Sequence, residues 1–272
     1  MSTILRLVLG PWPRADGGRI MEVEGTAMQR GQVIRILGPI DVETPDAVVK
    51  IGSLHARALL GVLVISAGRA VPIAYLHEVL WGAEPPRTAA NTLQSYISQL
   101  RGILGAEAII SEDHSYVLDV GADEIDALRF ERLVAGALTP GAEAEHRRDA
   151  CRTALAMWRG RPFGELADDE AFRLDAYRLD ELRVTAMETA IAAELELGRH
   201  DLVVGELETF VEEHPYRERA WYLLIEALTR AGRRIEAAHS CGRLREQLAE
   251  AGVAAGSELD ALERRLADDV LS

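Results

Sequence analysis

Apolar and polar positions follow two different rhythms along this chain, and the change of rhythm divides it. Between residues 33 and 52 the rhythm is short: Val33-Ile34-Arg35-Ile36-Leu37 ends at Gly38-Pro39, and Val48-Val49-Lys50-Ile51 follows Thr44-Pro45-Asp46. Short apolar runs bounded by Gly and Pro predict strands. From Ser53 the helical period takes over. Ser53 is a good N-cap, and the spacing predicts a helix over 54–67 that stops at Gly68. A second helix is predicted over 72–81, opened by Pro72 and stopped by Gly82. After the stiff Pro85-Pro86 loop a third is predicted over 87–104, closed by Gly105. Strand-like alternation returns at 108–111 and 116–120 around the turn Glu112-Asp113-His114-Ser115. Strands, three helices and a hairpin in this order predict a winged helix-turn-helix, with the third helix as the reader and the hairpin as the wing.

After Asp123 the pattern is helical almost throughout, over 125–137, 142–158, 170–197, 201–213, 216–231, 233–251 and 257–270. Leu197-Gly198-Arg199 and Ala231-Gly232-Arg233 stand 34 residues apart. At that offset Ala193 aligns with Ala227, Val203 with Ala237 and Phe210 with Leu244. Thirty-four residues is the tetratricopeptide period, although a generic antiparallel helical array would read similarly. The expected fold is therefore mainly α: a winged helix-turn-helix (α+β) followed by an all-α tetratricopeptide-like helical domain. The expected boundaries are a flexible N-terminal tail over 1–32, a DNA-reading domain over 33–121 and the helical domain over 122–272.

The third helix carries the informative face. Leu93, Ile97, Leu100 and Leu104 form an apolar stripe, flanked by Tyr96 and Ile103. Opposite lie Arg87, Thr88, Asn91, Gln94, Ser95, Ser98 and Gly102, with Gln99 and Arg101 at the margins, and no acid among them. Asn and Gln pair bidentately with adenine, Ser reads either sense, and Arg pairs with guanine or phosphate. Arg87, Thr88, Asn91, Gln94, Ser95, Ser98 and Gln99 are the expected base readers. Arg57 and Arg101 are expected on phosphates, and His114, Ser115 and Tyr116 at the wing tip.

Charge works against tight binding. The whole chain carries 44 acids against 30 bases, a net charge of −14, and Lys50 is its single lysine. Residues 33–120 hold six bases and nine acids. A basic nucleic-acid coat is thereby excluded. Phosphate contacts supply most non-specific affinity, so this domain is expected to bind DNA weakly alone and to need a second copy or a partner.

Several runs resemble the Streptomyces antibiotic regulatory protein family. They are Arg57-Ala58-Leu59-Leu60, Leu80-Trp81-Gly82, Pro85-Pro86 and Asn91-Thr92-Leu93-Gln94-Ser95-Tyr96-Ile97-Ser98-Gln99-Leu100-Arg101. Later runs look like that family's bacterial transcriptional activation domain: Arg129-Phe130-Glu131, Trp158-Arg159-Gly160, Leu197-Gly198-Arg199-His200 and His214-Pro215-Tyr216-Arg217-Glu218. The resemblance implies an OmpR-type winged helix that binds promoter direct repeats as a homodimer and recruits RNA polymerase holoenzyme to activate secondary-metabolite genes such as those of antibiotic biosynthesis. It corresponds to the family's short form. Departures from the family pattern are confined to a few positions. Gln99, Gly102 and His55 stand where a basic residue is usual, Ser115-Tyr116-Val117 replaces Gly-Tyr-Arg in the wing, and Ala254-Ala255-Gly256 replaces a Pro-Gly pair.

Catalytic and cofactor chemistry find no foothold in the sequence. Gly252 to Ser257 lacks the lysine and the spacing of a phosphate loop. The histidines, at 55, 77, 114, 146, 200, 214 and 239, form no metal-ligand spacing, and Cys151 and Cys241 are too far apart in sequence for a zinc cluster. No enzyme activity, cofactor or metal is expected. The longest apolar run, 58–67, is shorter than the roughly 20 residues of a membrane span. A cytoplasmic, nucleoid-associated protein is expected, with no membrane partner. A scaffold of degenerate winged-helix type, acting through protein contacts with little DNA binding of its own, is the alternative reading.

Overall fold

Two three-stranded antiparallel sheets bracket the first three helices in the computed structural model, which describes Met28 and residues 31–270. Strands β1 (Val33–Arg35), β2 (Asp41–Glu43) and β3 (Val48–Lys50) form the first sheet, with Ile34 opposite Val42 and Val42 opposite Val49. Helix α1 (Leu54–Ile65) follows, capped by the Ser53 hydroxyl, which accepts from the Ala56 amide at 3.4 Å. Its residues from Ala58 through Val64 are all buried, so it forms the centre of this unit. Strand β4 (Val71–Pro72) leads into α2 (Ile73–Trp81), and α3 (Ala89–Leu104) follows the proline loop. The hairpin of β5 (Ile109–Glu112) and β6 (Ser115–Leu118) completes a second sheet in the order β4-β6-β5. The winged helix-turn-helix expected from the sequence is present.

Two strands were not predicted. β2 carries Asp41 on a covered position, where Arg35 at 2.6 Å and Arg159 at 3.0 Å neutralise it. β4 is two residues long and contains a proline, yet Val71 pairs with Tyr116 and Pro72 with Ser115. The third helix begins at Ala89 and not at 87, which leaves Arg87 and Thr88 on the preceding turn. Of the expected tail, residues 1–27, 29 and 30 lie outside the described residues; Met28 and Gln32 are buried.

The described residues up to Val134 form one compact unit together with Ala154–Val184. Within it a turn at Ala122–Glu124 leads into α4 (Asp126–Ala137), and Ile34 bridges to Ile125 in parallel. The later segment returns to the free backbone of residues 36 and 37: the Arg159 amide donates to the Leu37 carbonyl and the Phe163 amide to that of Ile36, both at 2.8 Å. Phe163 holds φ near +61°, a strained setting for a bulky residue. That amide bond and the packing of its buried ring against Phe172, 5.2 Å away, fix it there.

The second unit holds Ala135–Thr153 and the chain from Thr185 onward. It contains all but the last two residues of α5 (Ala144–Leu155), the later part of α6 (Arg173–Glu196), α7 (His200–Glu213), α8 (Glu218–Arg230), α9 (Arg234–Glu250) and α10 (Ser257–Val270). The sequence repeat reappears as hydrogen-bond geometry. Gly198 donates to Leu195 and Arg199 to Glu194; Gly232 donates to Thr229 and Arg233 to Leu228. Both glycines have φ near +75°, and a third such closure follows α9 at Gly252 and Val253. These are Schellman turns, which need a left-handed residue. The aligned pairs Ala193 and Ala227, Val203 and Ala237, and Phe210 and Leu244 are buried. The helical array is tetratricopeptide-like.

Candidate nucleic-acid interface

Helix α3 sorts its residues cleanly. Ala89, Leu93, Ile97, Leu100 and Leu104 are buried. Arg87, Thr88, Asn91, Gln94, Ser95, Ser98 and Gln99 are exposed and share the opposite side, with Gly102 at its end. No acid occupies the first turn, so the positive end of the helix dipole is uncompensated there. The Ser95 hydroxyl donates to the Asn91 carbonyl at 3.0 Å, and Thr92 donates to Thr88 at the same distance. With its proton so engaged, Ser95 presents acceptor lone pairs, which suit an exocyclic amine on a base.

The end of α3 is held from two sides. The Arg101 guanidinium donates to the Ile109 carbonyl from Nε at 2.9 Å and from Nη2 at 2.6 Å, and Nη2 also reaches Ser111 Oγ at 2.9 Å. Gln32 donates to the Ile103 carbonyl at 3.2 Å. This buried residue was absent from the expected site; no local pattern marks it, because its partner lies 71 positions away.

The wing turn is only two residues, Asp113 and His114, and His114 has φ near +62°. The His114 carbonyl accepts from the Ile73 amide at 2.9 Å, which ties the turn to the start of α2. Asp113, His114 and the neighbouring Glu112 are exposed, Ser115 is half-buried, and Tyr116 is buried between β4 and β5. The wing tip therefore presents two carboxylates and one imidazole.

Arg57 faces inward. It donates to the carbonyls of Ile51 at 2.5 Å and Gly52 at 3.1 Å and pairs with the Glu165 carboxylate. His55, two residues earlier, lies in an aromatic cluster, 6.0 Å from Trp81 and 6.3 Å from Tyr96. The structure thus gathers seven of the twelve expected residues on one face of α3 and its preceding turn. It puts His114 and the half-buried Ser115 on the wing, and engages Arg57, Arg101 and Tyr116 within the unit.

Burial pushes the thiols of Cys151 and Cys241 up to about 11, so neither is an activated nucleophile. Among the described residues no group of His, Cys, Asp and Glu is placed to hold a metal ion, and no helix is long and apolar enough to cross a membrane.

Three helices with a β wing, followed along the chain by a tetratricopeptide-like helical array, define the class: a winged-helix protein. Residues 125–267 match the bacterial transcriptional activator domain. The chain belongs to the Streptomyces antibiotic regulatory protein family. It is 33% identical over 236 residues to the transcriptional regulator RedD of Streptomyces coelicolor, covering 83% of this chain and 67% of RedD. It is also 33% identical over 274 residues to the regulatory protein AfsR of Streptomyces griseus, covering 97% of this chain but only 27% of AfsR. The chain thus spans about a quarter of the length of that relative. The solved structure of Mycobacterium tuberculosis EmbR in complex with a low affinity phosphopeptide superposes with a TM-score of 0.79 at 31% identity, over 88% of this chain and 65% of that one.

Proposed function

We propose that this chain is a DNA-binding transcriptional regulator that activates the genes of one biosynthetic pathway. The observation that carries this reading is the exposed, acid-free face of α3, backed by a buried stripe and flanked by a wing. Arg87, Thr88, Asn91, Gln94, Ser95, Ser98 and Gln99 would meet base edges in the major groove, and His114 with Ser115 would follow the neighbouring backbone. Residues 33–121 act as the reader and 122–272 as the activator domain that meets RNA polymerase holoenzyme. Two copies on a direct repeat would place their reader helices on one side of the duplex, about one helical turn apart. Such a regulator works on the nucleoid, and it needs no cofactor. The relatives named as regulators support this assignment.

A second reading has its own observation. Arg57 and Arg101 are engaged internally, and Glu112 and Asp113 stand at the wing tip. A winged helix so poor in free cations would suit a scaffold that works through protein contacts. Fragmented genomic DNA mixed with the purified chain at low and near-physiological salt, then sequenced, separates the two. Enrichment of a few upstream fragments that share a direct repeat is the expected result. Retention of nothing in either condition would assign the scaffold role.

A further inference from the structure

We infer that Arg101 is a positioning residue: it locks the wing to the reader helix and does not neutralise a DNA phosphate. This rests on the DNA-reading proposal above for its consequence, though not for its geometry.

A guanidinium binds phosphate best through one of its two bidentate edges, Nε with Nη2 or Nη1 with Nη2. The Nε–Nη2 edge of Arg101 is filled, and Nη2, which the other edge also needs, has both its protons committed. Nε and Nη2 converge on the Ile109 carbonyl at 2.9 and 2.6 Å, and the second Nη2 proton goes to Ser111 Oγ at 2.9 Å. Ile109 and Ser111 flank Ile110 on β5, the outer strand of the wing sheet, and Ser111 pairs with Tyr116 of β6. Arg101 sits in the last turn of α3, where a cation also complements the helix dipole.

The sheet bonds run between β4, β6 and β5, and none of them joins the wing to α3. The three Arg101 bonds span that gap. They connect the helix that would read bases to the hairpin that would follow the backbone, and so fix the spacing between the two halves of one footprint. Lysine cannot substitute, because its single ammonium lacks the planar fork that holds one carbonyl from two nitrogens.

Arg101→Gln and Arg101→Lys in the full chain test this, with Ser111→Ala as the milder variant that removes one of the three bonds. The first readout needs no DNA. Amide hydrogen exchange over Ile109–Glu112 and Ser115–Leu118 should rise by roughly tenfold in both Arg101 variants and less in Ser111→Ala, while exchange in the body of α3 stays at the wild-type rate. Unchanged exchange in the wing would overturn the proposal. The second readout is the salt dependence of binding to a duplex enriched by the wild-type chain from a random pool. Removing a phosphate contact lowers the slope of log affinity against log salt by about 0.9. The expected result is an unchanged slope, with affinity reduced alike in Arg101→Gln and Arg101→Lys. A slope lowered by about 0.9 in Arg101→Gln, with affinity kept in Arg101→Lys, would place the charge on a phosphate and overturn the proposal. If the wild-type chain enriches no duplex, the DNA-reading proposal fails, and the exchange measurement still decides whether Arg101 holds the wing.

Discussion

The Asp126 carboxylate closes the end of β1: one oxygen accepts from the Ile36 amide at 2.8 Å and the other from the Leu37 amide at 3.1 Å. Burial raises its pKa to about 6, against the opposing pull of those two amides and of Arg159. The folded pKa thus lies above the unfolded value near 3.9. The folded state binds the extra proton between these values, so this group's stabilisation is present at low pH and is lost as pH rises through about 6. Asp123 runs the other way, held low by its hydrogen bond to Arg132. Comparison with Asp126→Asn isolates the one group. Between about pH 4 and pH 7 wild type should lose on the order of 2–3 kcal/mol relative to Asp126→Asn. Urea unfolding at the two pH values measures it; a constant difference would mean that folding leaves the Asp126 pKa at its unfolded value.

Gly61 and Phe172 make a second long-range joint. A Cβ at Gly61 would lie 2.7 Å from Phe172 Cε1 and 3.2 Å from Ile40 Cδ1, so only glycine lets the ring sit on α1. Alanine gains about 1 kcal/mol of helix propensity but overpacks the site at a cost of about 1–3 kcal/mol. Gly61→Ala should therefore be neutral to destabilising alone. In a Phe172→Leu background the clash is relieved and the same change should stabilise the chain. Chemical denaturation of the four variants of this cycle gives the coupling; additive effects would show that the ring moves aside freely.

Periodic features were legible in the sequence and distant partners were not. The Ser53 cap, the closing glycines 82 and 105, and the Leu93, Ile97, Leu100 and Leu104 stripe each announce themselves within one or two turns, whereas the first helix stops at Ile65, short of the expected Gly68, whose amide goes to the Leu118 carbonyl. The same holds for the glycine turns at 198 and 232. β4 was hidden because two residues, one a proline, make no pattern. The exposed face of α3 followed from its period, but the inward engagement of Arg57 and Arg101 could not, since a guanidinium's partner depends on loops brought near by folding. Arg57 reaches Glu165 across 108 positions and Asp126 reaches Ile36 across 90. These links also explain why the compact unit around the reader extends to Val184, well past the end of the wing.

The wing tip offers a sharper electrostatic test of the DNA reading. Glu112 and Asp113 are exposed beside His114, where the proposed function brings the duplex backbone. Two carboxylates facing phosphates repel them over about a Debye length, near 10 Å at 0.1 M salt. Glu112→Gln combined with Asp113→Asn should raise affinity for a short fluorescent duplex several-fold at low salt. The gain should shrink as salt is raised, and anisotropy titrations at two salt concentrations read both effects. Affinity that ignores the substitutions at low salt would mean that the wing points away from the DNA.

Gly102 lies at the end of the exposed α3 face, and a Cβ there meets no atom within 4 Å. Its backbone is helical, so glycine brings only its entropic penalty, about 1 kcal/mol relative to a good helix former. Gly102→Arg should therefore stabilise the free protein by about that amount, seen as a higher denaturation midpoint without a change in slope. It also places a cation on the face proposed to meet DNA. Non-specific affinity should rise, and the salt slope should steepen by about 0.9 if the new guanidinium reaches a phosphate. The two readouts are independent. A stabilised protein with an unaltered salt slope would show that the end of α3 stays clear of the backbone, and that the duplex is met only by the earlier turns carrying Asn91, Gln94 and Ser98.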